Sequence, residues 1–368
     1  MKPARCAVVG AGLAGAAVAS SFARRGWQVE VLDAAGGAAQ GASALPAGVL
    51  APHQSVDDNL LSKLTRAGVA ATWAQARALL VEGVDWSPSG VLENRQGDAR
   101  SAPALGREHE VWTRAADAEQ KREAGLPADA NAWWHERAAW IRPGALVRAW
   151  LGQPGIVLRT SCAAASVENR GATWEVHDVS GRSVAQAEVV VIAAALGTAS
   201  LLSQPLALTP VRGQVSWSHG DPGIGAFPLN GNGHFIPRAT IGGRPAWLTG
   251  STYGRGDTDL AARDEDHDAN LQRLRTLCPV AADRLGDAFA ARAVHAWTGI
   301  RCTSIDRRPL AGWLSPGLGV CTAMGSRGLT FAALCAELLA ATLHGEPLPL
   351  APGLAQALDV RRVTATRT

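Results

Sequence analysis

The chain has 368 residues, of which 47% are hydrophobic and 18% are charged, and its formal net charge is +3. This length allows two or three domains, or one large enzyme domain with an inserted cap, and the composition excludes a disordered, low-complexity or collagen-like chain. The small positive charge is far from that of a dedicated nucleic-acid coat protein, although it is compatible with an RNA partner.

The first predicted elements are a strand, a helix and a second strand. Residues 6–9 are apolar and partly β-branched, which is typical of a buried parallel strand, and they lead into a G-x-G-x-x-G motif. Apolar residues four apart then predict a helix that ends at Gly26. A second strand over residues 27–32 ends at Asp33, eighteen positions after the third glycine. This order predicts a dinucleotide-binding βαβ unit.

The glycines and the acid have different roles in such a unit. Gly10 permits the tight turn, Gly12 lets backbone amides approach a pyrophosphate, and Gly15 allows the helix to pack close to the strand. The helix N-terminus then faces the phosphates, and Asp33 accepts hydrogen bonds from a ribose. The motif by itself does not distinguish FAD from NAD. The candidate cofactor-binding residues of this unit are Gly10, Gly12, Leu13, Ala14, Gly15 and Asp33.

A segment of small residues follows, and it carries the first resemblance to a known family. Glycines beside a hydroxyl suit a backbone that lies against a flat or charged ligand, although a flexible loop has the same composition. The segment resembles the one after the second strand in the D-amino-acid-oxidase superfamily of FAD enzymes. The resemblance implies that it passes between the pyrophosphate and the isoalloxazine ring. The candidate residues are Gly41, Ala42, Ser43, Gly48 and Val49.

The resemblance continues along almost the whole chain. Pro143 begins a predicted helix, and in relatives the backbone near Ala164 holds the adenine. Strand-like segments lie at residues 156–160, 173–179 and 188–193. Within the superfamily, five later segments resemble the FAD domain of the bifunctional enzymes that complete 5-methylaminomethyl-2-thiouridine at the tRNA wobble position. They are residues 210–216, 250–257, 299–312, 324–329 and 345–350.

Two features depart from the pattern of those bifunctional enzymes. They carry an N-terminal methyltransferase, whereas the first nucleotide-binding strand here begins by residue 6, so we expect no methyltransferase activity. In addition, residues 44–47 are apolar where the relatives have a polar loop. A change of polarity beside the flavin is compatible with a different substrate.

The resemblance implies oxidation of a secondary amine at its N-carboxymethyl carbon, giving an imine that water cleaves to a primary amine and glyoxylate. Such chemistry needs a clamp for the carboxylate and donors for the negative charge that grows on the reduced flavin. Arg301 is the candidate clamp by its position in the family pattern, because guanidinium binds carboxylate in a bidentate fork. Tyr253 and Arg327 complete the candidate catalytic set, although Tyr253 can equally be an amphipathic residue at a strand end.

A second glycine-containing turn precedes the last long helix. Apolar residues recur with helical spacing over residues 331–344, and Thr330 is the predicted N-cap. Amides at this helix start can stabilise the anionic reduced flavin, and the alternative is an ordinary capped core helix. The candidate cofactor-binding residues of this turn are Gly325, Ser326, Arg327, Gly328, Leu329 and Thr330.

These elements predict an α/β protein with two interleaved domains. One is a Rossmann-like FAD-binding domain of the glutathione-reductase and D-amino-acid-oxidase type, and the other is an antiparallel-sheet substrate domain. The predicted FAD-binding domain comprises residues 1–55, 140–212 and 296–368. The predicted substrate domain comprises residues 56–139 and 213–295.

The cysteines and histidines indicate no metal site. The six cysteines form no C-x-x-C pair, and the nine histidines show no H-x-H or H-E-x-x-H spacing. Buried thiols in a reducing compartment are expected instead. Cys302 lies where some sarcosine oxidases attach flavin, but the bifunctional enzymes have an unattached cysteine there. We therefore expect non-covalent FAD.

For each of three further groups of residues, the sequence allows two interpretations. Four tryptophans either stack on nucleobases or, as we favour, fill the core. The four are Trp133, Trp134, Trp140 and Trp150. Near the C-terminus, Arg361, Arg362 and Arg367 either meet RNA phosphates or form an exposed end. Arg212 and Gln214 either touch a ligand or are ordinary polar loop residues.

The leading functional hypothesis is FAD-dependent removal of a carboxymethyl group from a tRNA wobble uridine, with dioxygen as the expected electron acceptor. One rival is an oxidase of a small amino acid such as glycine, sarcosine or a D-amino acid. Another, of a different class, is a flavin-binding assembly or regulatory protein without turnover. The longest apolar stretch, residues 189–202, is too short to span a bilayer, so we expect a cytoplasmic protein without a membrane partner.

Overall fold

The computed structural model describes residue 2, residues 4–95 and residues 111–364. The chain divides into two compact units, each assembled from separate stretches of sequence. Unit 1 comprises Met1–Ala44, Pro143–Val211 and Ile300–Thr368, and unit 2 comprises Leu45–Arg142 and Arg212–Gly299. This division places residues 45–55 in unit 2, whereas the sequence analysis assigns them to the FAD-binding domain.

The strands and helices are numbered in chain order. The strands are β1 (Arg5–Val9), β2 (Gln28–Leu32), β3 (Gly48–Leu50), β4 (Trp86–Ser87), β5 (Val91–Asn94), β6 (Thr113–Ala115), β7 (Ala132–His135), β8 (Ala139–Ile141), β9 (Ile156–Arg159), β10 (Ser166–Asn169), β11 (Trp174–His177), β12 (Ser183–Ala187), β13 (Val189–Ile192), β14 (Leu208–His219), β15 (Leu229–Gly231), β16 (Gly233–Ile241), β17 (Arg244–Gly250), β18 (Gly254–Arg255), β19 (His295–Ser304), β20 (Leu310–Ser315) and β21 (Leu318–Thr322). The α-helices are α1 (Leu13–Ala23), α2 (Leu60–Leu79), α3 (Ala118–Glu123), α4 (Pro143–Leu151), α5 (Asp264–Leu277), α6 (Pro279–Ala290), α7 (Gly328–His344), α8 (Pro352–Gln356) and α9 (Arg361–Thr364). Two 3-10 helices span Ala42–Ala44 and Ala195–Leu201.

The central sheet of unit 1 has six strands in the order β20, β21, β13, β1, β2 and β9. Its pairs from β21 to β9 are parallel, and β20 runs antiparallel to β21. The side chain of Val8 lies near Gly15 of α1, whereas Ala7 and Val9 pack with Val176 of the antiparallel sheet β10–β11–β12. Burial of both faces explains why β1 is a continuous apolar run. The parallel strands predicted from the sequence are confirmed.

Helices α1 and α7 pack against each other in unit 1. Ten of the eleven residues of α1 are buried, because its alanines, serines and one glycine let it approach its neighbours closely. At its C-terminal end, Arg25 donates hydrogen bonds to Glu337 of α7 at 3.0 Å and to Glu346 at 2.7 Å. These contacts fix the direction of two helices whose N-termini both belong to the candidate cofactor site.

Unit 2 contains most of a nine-stranded sheet in the order β18, β14, β17, β16, β15, β5, β7 and β6, with β19 paired to β14. The pairs β14–β17, β15–β16, β16–β17, β5–β7 and β6–β7 are antiparallel, and the pair β15–β5 is parallel. Helices α5 and α6 pack on this sheet through a cluster that includes Leu274, Phe289 and Phe235. A small sheet, β3–β8–β4, and helices α2 and α3 also belong to this unit.

The tryptophans singled out in the sequence fill the core, as favoured. Trp133, Trp134, Trp140 and Trp150 have exposed fractions of 0%, 7%, 3% and 1%.

Two of the C-terminal arginines form ion pairs within the described residues. Arg361 forms an ion pair with Asp359 and Arg362 forms one with Asp306, while Arg367 lies outside the described residues.

A half-buried acid and a buried histidine connect two strands of unit 2. Nε2 of the fully buried His135 lies 2.9 Å from Oε2 of Glu93, and its Nδ1 lies 2.9 Å from the Thr113 hydroxyl. Arg95 donates a hydrogen bond to the other oxygen of Glu93 at 3.0 Å. Burial alone would raise the pKa of Glu93, but the hydrogen bonds and charges of His135 and Arg95 outweigh it and lower that pKa.

We expect Glu93→Gln to lower the free energy of unfolding by about 1–3 kcal/mol at neutral pH, because a buried charge-assisted pair is broken. Since the folded-state pKa of Glu93 is lowered, its contribution is present above its ordinary range near pH 4 and is lost as the pH falls through the folded-state value. Urea unfolding at neutral and acidic pH measures both effects. The exposed Glu119→Gln is the control. Equal stability of wild type and Glu93→Gln at neutral pH would contradict the expectation.

Candidate functional site

The first glycine turn connects β1 to α1 through a backbone that excludes larger residues. Gly10 has φ +111° and donates its N–H to the Leu32 carbonyl at 2.7 Å. A Cβ atom on Gly10 would lie 2.5 Å from the Ala193 carbonyl oxygen, and one on Gly15 would lie 1.8 Å from the Gly10 carbonyl oxygen. The helix therefore packs against the turn at the closest distance that a glycine permits, which is the role predicted for Gly15.

Asp33 follows β2 and ties its end to the glycine turn. One carboxylate oxygen accepts the Ala11 N–H at 2.6 Å, and the other accepts the Ala35 N–H at 2.8 Å. A carboxylate has about four acceptor positions, so these two bonds leave capacity for a ribose hydroxyl. The motif predicts Asp33 as a ribose acceptor. It does not predict that the Asp33 carboxylate also holds the backbone of the first glycine turn through the Ala11 N–H.

The small-residue segment closes over the start of α1. The Ser43 hydroxyl accepts the Leu13 N–H at 3.0 Å, and a Cβ on Gly12 would lie 3.2 Å from the same oxygen. Gly41 and Ala42 are exposed, which leaves their backbone accessible. This contact connects the G-x-G-x-x-G motif to a segment that lies about thirty residues later in the chain.

Three predicted cofactor residues belong to other segments of the chain. Ala164 is half-buried and packs on the cluster that includes Val9 and Leu32 in unit 1. Gly48 and Val49 belong to β3 in unit 2, where they pair with β8. Their contact with a cofactor stays a prediction.

The second glycine turn lies at the end of β19 in unit 1. Gly325 has φ +56° and donates its N–H to the Cys302 carbonyl at 2.9 Å, and Met324 forms a β-bridge with Thr303. Arg301 directly precedes Cys302 in β19 and is half-buried. The structure thus brings the candidate carboxylate clamp beside the candidate flavin turn, although the two are more than twenty residues apart in sequence.

The prediction that Thr330 caps the last long helix is wrong. Helix α7 begins at Gly328, and its N-cap position is held by Arg327, whose side chain makes no capping hydrogen bond. Thr330 is buried inside the first turn, at 3% exposure. Gly328 makes the earlier start possible, because its missing side chain leaves room for Leu13, whose Cδ1 would lie 3.0 Å from an added Cβ. N-cap preference is local, whereas this start depends on packing against α1.

These two turns fit FAD. Neither N-cap residue, Gly12 of α1 or Arg327 of α7, caps its helix with its own side chain. The first amides of an α-helix have no acceptor within the helix, and at α1 one of them, the Leu13 N–H, is taken by Ser43. The contact between Leu13 and Gly328 places the two N-termini side by side. One positive helix end suits the pyrophosphate and the other suits the negative charge of a reduced flavin. Ala14 and Gly15 would hold the first, and Ser326 to Leu329 would hold the second.

Cys302 is poorly suited to covalent attachment. Its side chain is 6% exposed, and its sulfur lies 3.9 Å from the Thr322 hydroxyl. Burial raises the pKa of the Cys302 thiol, so the nucleophilic thiolate is disfavoured. The other cysteines of the described residues are also free thiols, and all but Cys162 are buried.

We expect acid precipitation of the purified protein to release all of its FAD into the supernatant, because burial disfavours the Cys302 thiolate that would form a covalent bond to flavin. Cys302→Ala should retain the wild-type ratio of FAD to protein. Absorbance of the supernatant and of the redissolved pellet measures the outcome. Yellow colour that stays with wild-type protein and is released from Cys302→Ala would contradict the expectation.

Two predictions about unit 2 have different outcomes. Tyr253 follows β17 and is 58% exposed, so its place in a substrate site stays a prediction.

Arg212 and Gln214 are not loop residues, because both lie in β14 and are buried. Arg212 donates to the carbonyls of Asp259 and Ala261 and forms an ion pair with Asp266. Polar residue type indicated a loop, but a buried arginine with a complete set of acceptors holds neighbouring segments together instead.

A parallel sheet with a glycine turn after its first strand, an acid after its second and two adjoining helix N-termini is the arrangement of a dinucleotide-binding oxidoreductase. The chain belongs to the DAO family: the model for FAD dependent oxidoreductase matches residues 5–342. FAD is therefore the cofactor, and the α/β fold class expected from the sequence is confirmed.

Curated relatives match nearly the whole chain. A protein of Polaromonas naphthalenivorans (strain CJ2) is 48% identical over 376 residues, covering 97% of this chain and 59% of its own length. A protein of Polaromonas sp. (strain JS666 / ATCC BAA-500) is 50% identical over 375 residues, covering 96% of this chain and 59% of its own length. Both are named tRNA 5-methylaminomethyl-2-thiouridine biosynthesis bifunctional protein MnmC. The chain thus spans about three fifths of the length of these relatives.

Solved structures share the fold at low identity. Glycine oxidase from Geobacillus kaustophilus superposes with a TM-score of 0.72 at 19% identity, with 99% of each chain covered. Iminodiacetate oxidase from Chelativorans sp. BNC1 superposes with a TM-score of 0.72 at 21% identity, with 96% of this chain and 98% of that chain covered.

Among the described residues, no helix has the length and apolar character needed to cross a membrane. The same residues contain no group of three or more His, Cys, Asp or Glu able to hold a metal ion.

Proposed function

We propose that this protein oxidises the C–N bond of a secondary amine and removes the carboxymethyl group, as glyoxylate, from 5-carboxymethylaminomethyl-(2-thio)uridine at the tRNA wobble position. The observation that carries the proposal is the identity of 48–50% with proteins named for 5-methylaminomethyl-2-thiouridine biosynthesis, over nearly the whole of this chain. The activity places the protein with tRNA in the cytoplasm.

The side chains of unit 1 support this chemistry. FAD supplies the hydride acceptor when bound. Arg301 binds the substrate carboxylate in a bidentate fork and so directs the adjacent carbon–hydrogen bond, and its position beside Gly325 suits that task. The first-turn amides of α7 stabilise the negative charge that develops in the site. Arg327, at the N-cap position of α7, adds a positive charge there.

The overall reaction balances with an external electron acceptor. The amine loses two electrons and two protons to give an imine, and water then cleaves the imine to the primary amine and glyoxylate. We propose dioxygen as the acceptor that takes up the two electrons and two protons as hydrogen peroxide. The reaction needs no acid–base pair, but the substrate amine must be unprotonated so that its lone pair assists the loss of hydride.

Nucleoside analysis of tRNA from a deletion strain tests the proposal. We expect the carboxymethylaminomethyl form to accumulate, and complementation with the intact gene should restore the wild-type profile. An unchanged nucleoside profile would remove tRNA as the substrate.

Anaerobic mixing of the yellow holoprotein with amines identifies the alternatives. Bleaching by undermodified tRNA with release of glyoxylate supports the proposal. Bleaching by glycine, sarcosine or a D-amino acid, without bleaching by tRNA, would identify an amino-acid oxidase. Colour retained with every amine would identify a flavin-binding protein without turnover.

A further inference from the structure

Four aromatic side chains cluster on one face of β14 and β19 within unit 2. The ring centroids of Trp217 and His295 lie 4.6 Å apart at an interplanar angle of 36°, and Trp217 meets His219 edge to face at 5.4 Å. Trp297 lies two residues after His295 and therefore on the same face of β19. Trp217, His219, His295 and Trp297 are named the aromatic platform.

The two tryptophans of the aromatic platform pack on the core of unit 2. Trp217 and Trp297 are half-buried and pack on a cluster that includes Val215 and Ile236, whereas His295 is exposed. A Cβ on Gly299 would lie 2.3 Å from Cη2 of Trp297, so the ring lies along the strand over that glycine. Rings held in this way are rigid and lose little conformational entropy when a ligand stacks on them.

The opposite face of the same two strands carries polar residues that are already satisfied. The Ser216 hydroxyl lies 2.7 Å from Nδ1 of His267 in α5, and Thr298 donates to the Gln214 side chain at 3.3 Å. Ser216 and Gln214 are fully buried. The strands therefore bury polar side chains against a helix and leave large aromatic rings half-exposed. This is the reverse of the usual pattern of a sheet with one solvated face, and it marks the aromatic face as a binding surface.

The strand segments that carry the platform have no acidic side chains. Residues 213–219 and 295–299 contain no aspartate or glutamate, so no acidic side chain lies in these strand segments. Asp221, just after β14, forms an ion pair with Arg238 at 2.9 Å. These segments therefore offer no ion pair to a cationic ligand, whereas the half-exposed rings offer a stacking surface to a nucleobase.

We propose that the aromatic platform stacks an unpaired base of the RNA substrate. The inference rests on the proposed function and extends it by naming the residues that recognise the nucleobase rather than the reacting amine. Sheet faces bearing exposed aromatic rings bind single-stranded bases in this way, and the contact tolerates different bases because every base has a π-face. The tryptophans for which stacking on nucleobases was an alternative, Trp133, Trp134, Trp140 and Trp150, all lie in the core. Trp217 and Trp297 are distinguished from them by exposure alone.

Binding of a fluorescent anticodon stem-loop RNA to the holoprotein tests the platform. We expect Trp217→Leu and Trp297→Leu each to raise Kd by about 5- to 150-fold, the range for loss of one base–aromatic stack. Trp217→Phe and Trp297→Phe should stay within about 3-fold of wild type, because a ring remains. His295→Ala, at an exposed position, should weaken binding without affecting folding. Trp73→Leu, at a half-buried tryptophan of α2 in unit 2, is the matched control and should bind as wild type does.

The outcomes separate this inference from the proposed function. Wild-type protein that binds and oxidises the RNA, with leucine variants that bind it equally well, would overturn the platform alone. Equal weakening by the leucine and phenylalanine variants would also overturn it, since stacking would not be the cause. Wild-type protein that fails to bind the stem-loop would overturn both. FAD content and thermal unfolding of each variant confirm that the binding change does not come from misfolding.

Discussion

Gly15→Ala protein is expected to lose its FAD and much of its stability. The added methyl group would lie 1.8 Å from the Gly10 carbonyl oxygen, and neither backbone can move without separating α1 from β1. Overpacking against backbone of this kind costs about 3 kcal/mol or more. The displaced helix would also withdraw the amides that face the pyrophosphate. Absorbance of FAD relative to protein and urea unfolding with and without added FAD measure the two effects.

A second glycine near the same turn provides the control. A Cβ on Gly36 meets no atom within 4 Å, so Gly36→Ala should keep wild-type FAD content and stability within about 0.5 kcal/mol. Normal FAD content in Gly15→Ala would contradict the close packing of α1 on the first turn. Loss of FAD in both variants would show that FAD content responds to any substitution near the first glycine turn.

Arg301→Gln is expected to lower kcat/KM for a carboxylate-bearing amine by about 10²- to 10³-fold while FAD content stays unchanged. The expected size follows from the loss of about 3–4 kcal/mol when one partner of a charged, hydrogen-bonded pair is removed. Arg301→Lys keeps the charge but not the planar fork, so it should recover only part of the loss. Steady-state kinetics and anaerobic flavin reduction measure both variants.

Inhibition by a simple carboxylate distinguishes a clamp from a structural arginine. Acetate or glyoxylate should compete with the amine in wild type and lose this effect in Arg301→Gln, because both anions need the guanidinium. Arg77→Gln, on the exposed side of α2, should behave as wild type. Unchanged inhibition in Arg301→Gln, whatever its turnover, would assign the carboxylate site to another residue.

The local parts of the cofactor site were predictable because their signals lie within short stretches of chain. The turn at Gly10, the close packing at Gly15 and the acid at Asp33 are set by neighbours in one βαβ unit. Hydrophobic periodicity likewise identified the parallel strands of unit 1. The start of α7 was misjudged because Thr330 has the properties of an N-cap, whereas the packing of Gly328 on Leu13 decides where the helix begins.

The sequence by itself determined the dinucleotide-binding βαβ unit, the α/β class and the residue types of the second turn, since spacing and periodicity are properties of the chain. Only the tertiary structure decided that the Cys302 carbonyl accepts a hydrogen bond from the Gly325 N–H. It also decided that Arg212 is buried and holds neighbouring segments together. The same is true of the half-exposed positions of Trp217 and Trp297 and of the burial of Trp133. Burial and pairing depend on which distant segments come together, and a residue's own chemistry does not contain that information.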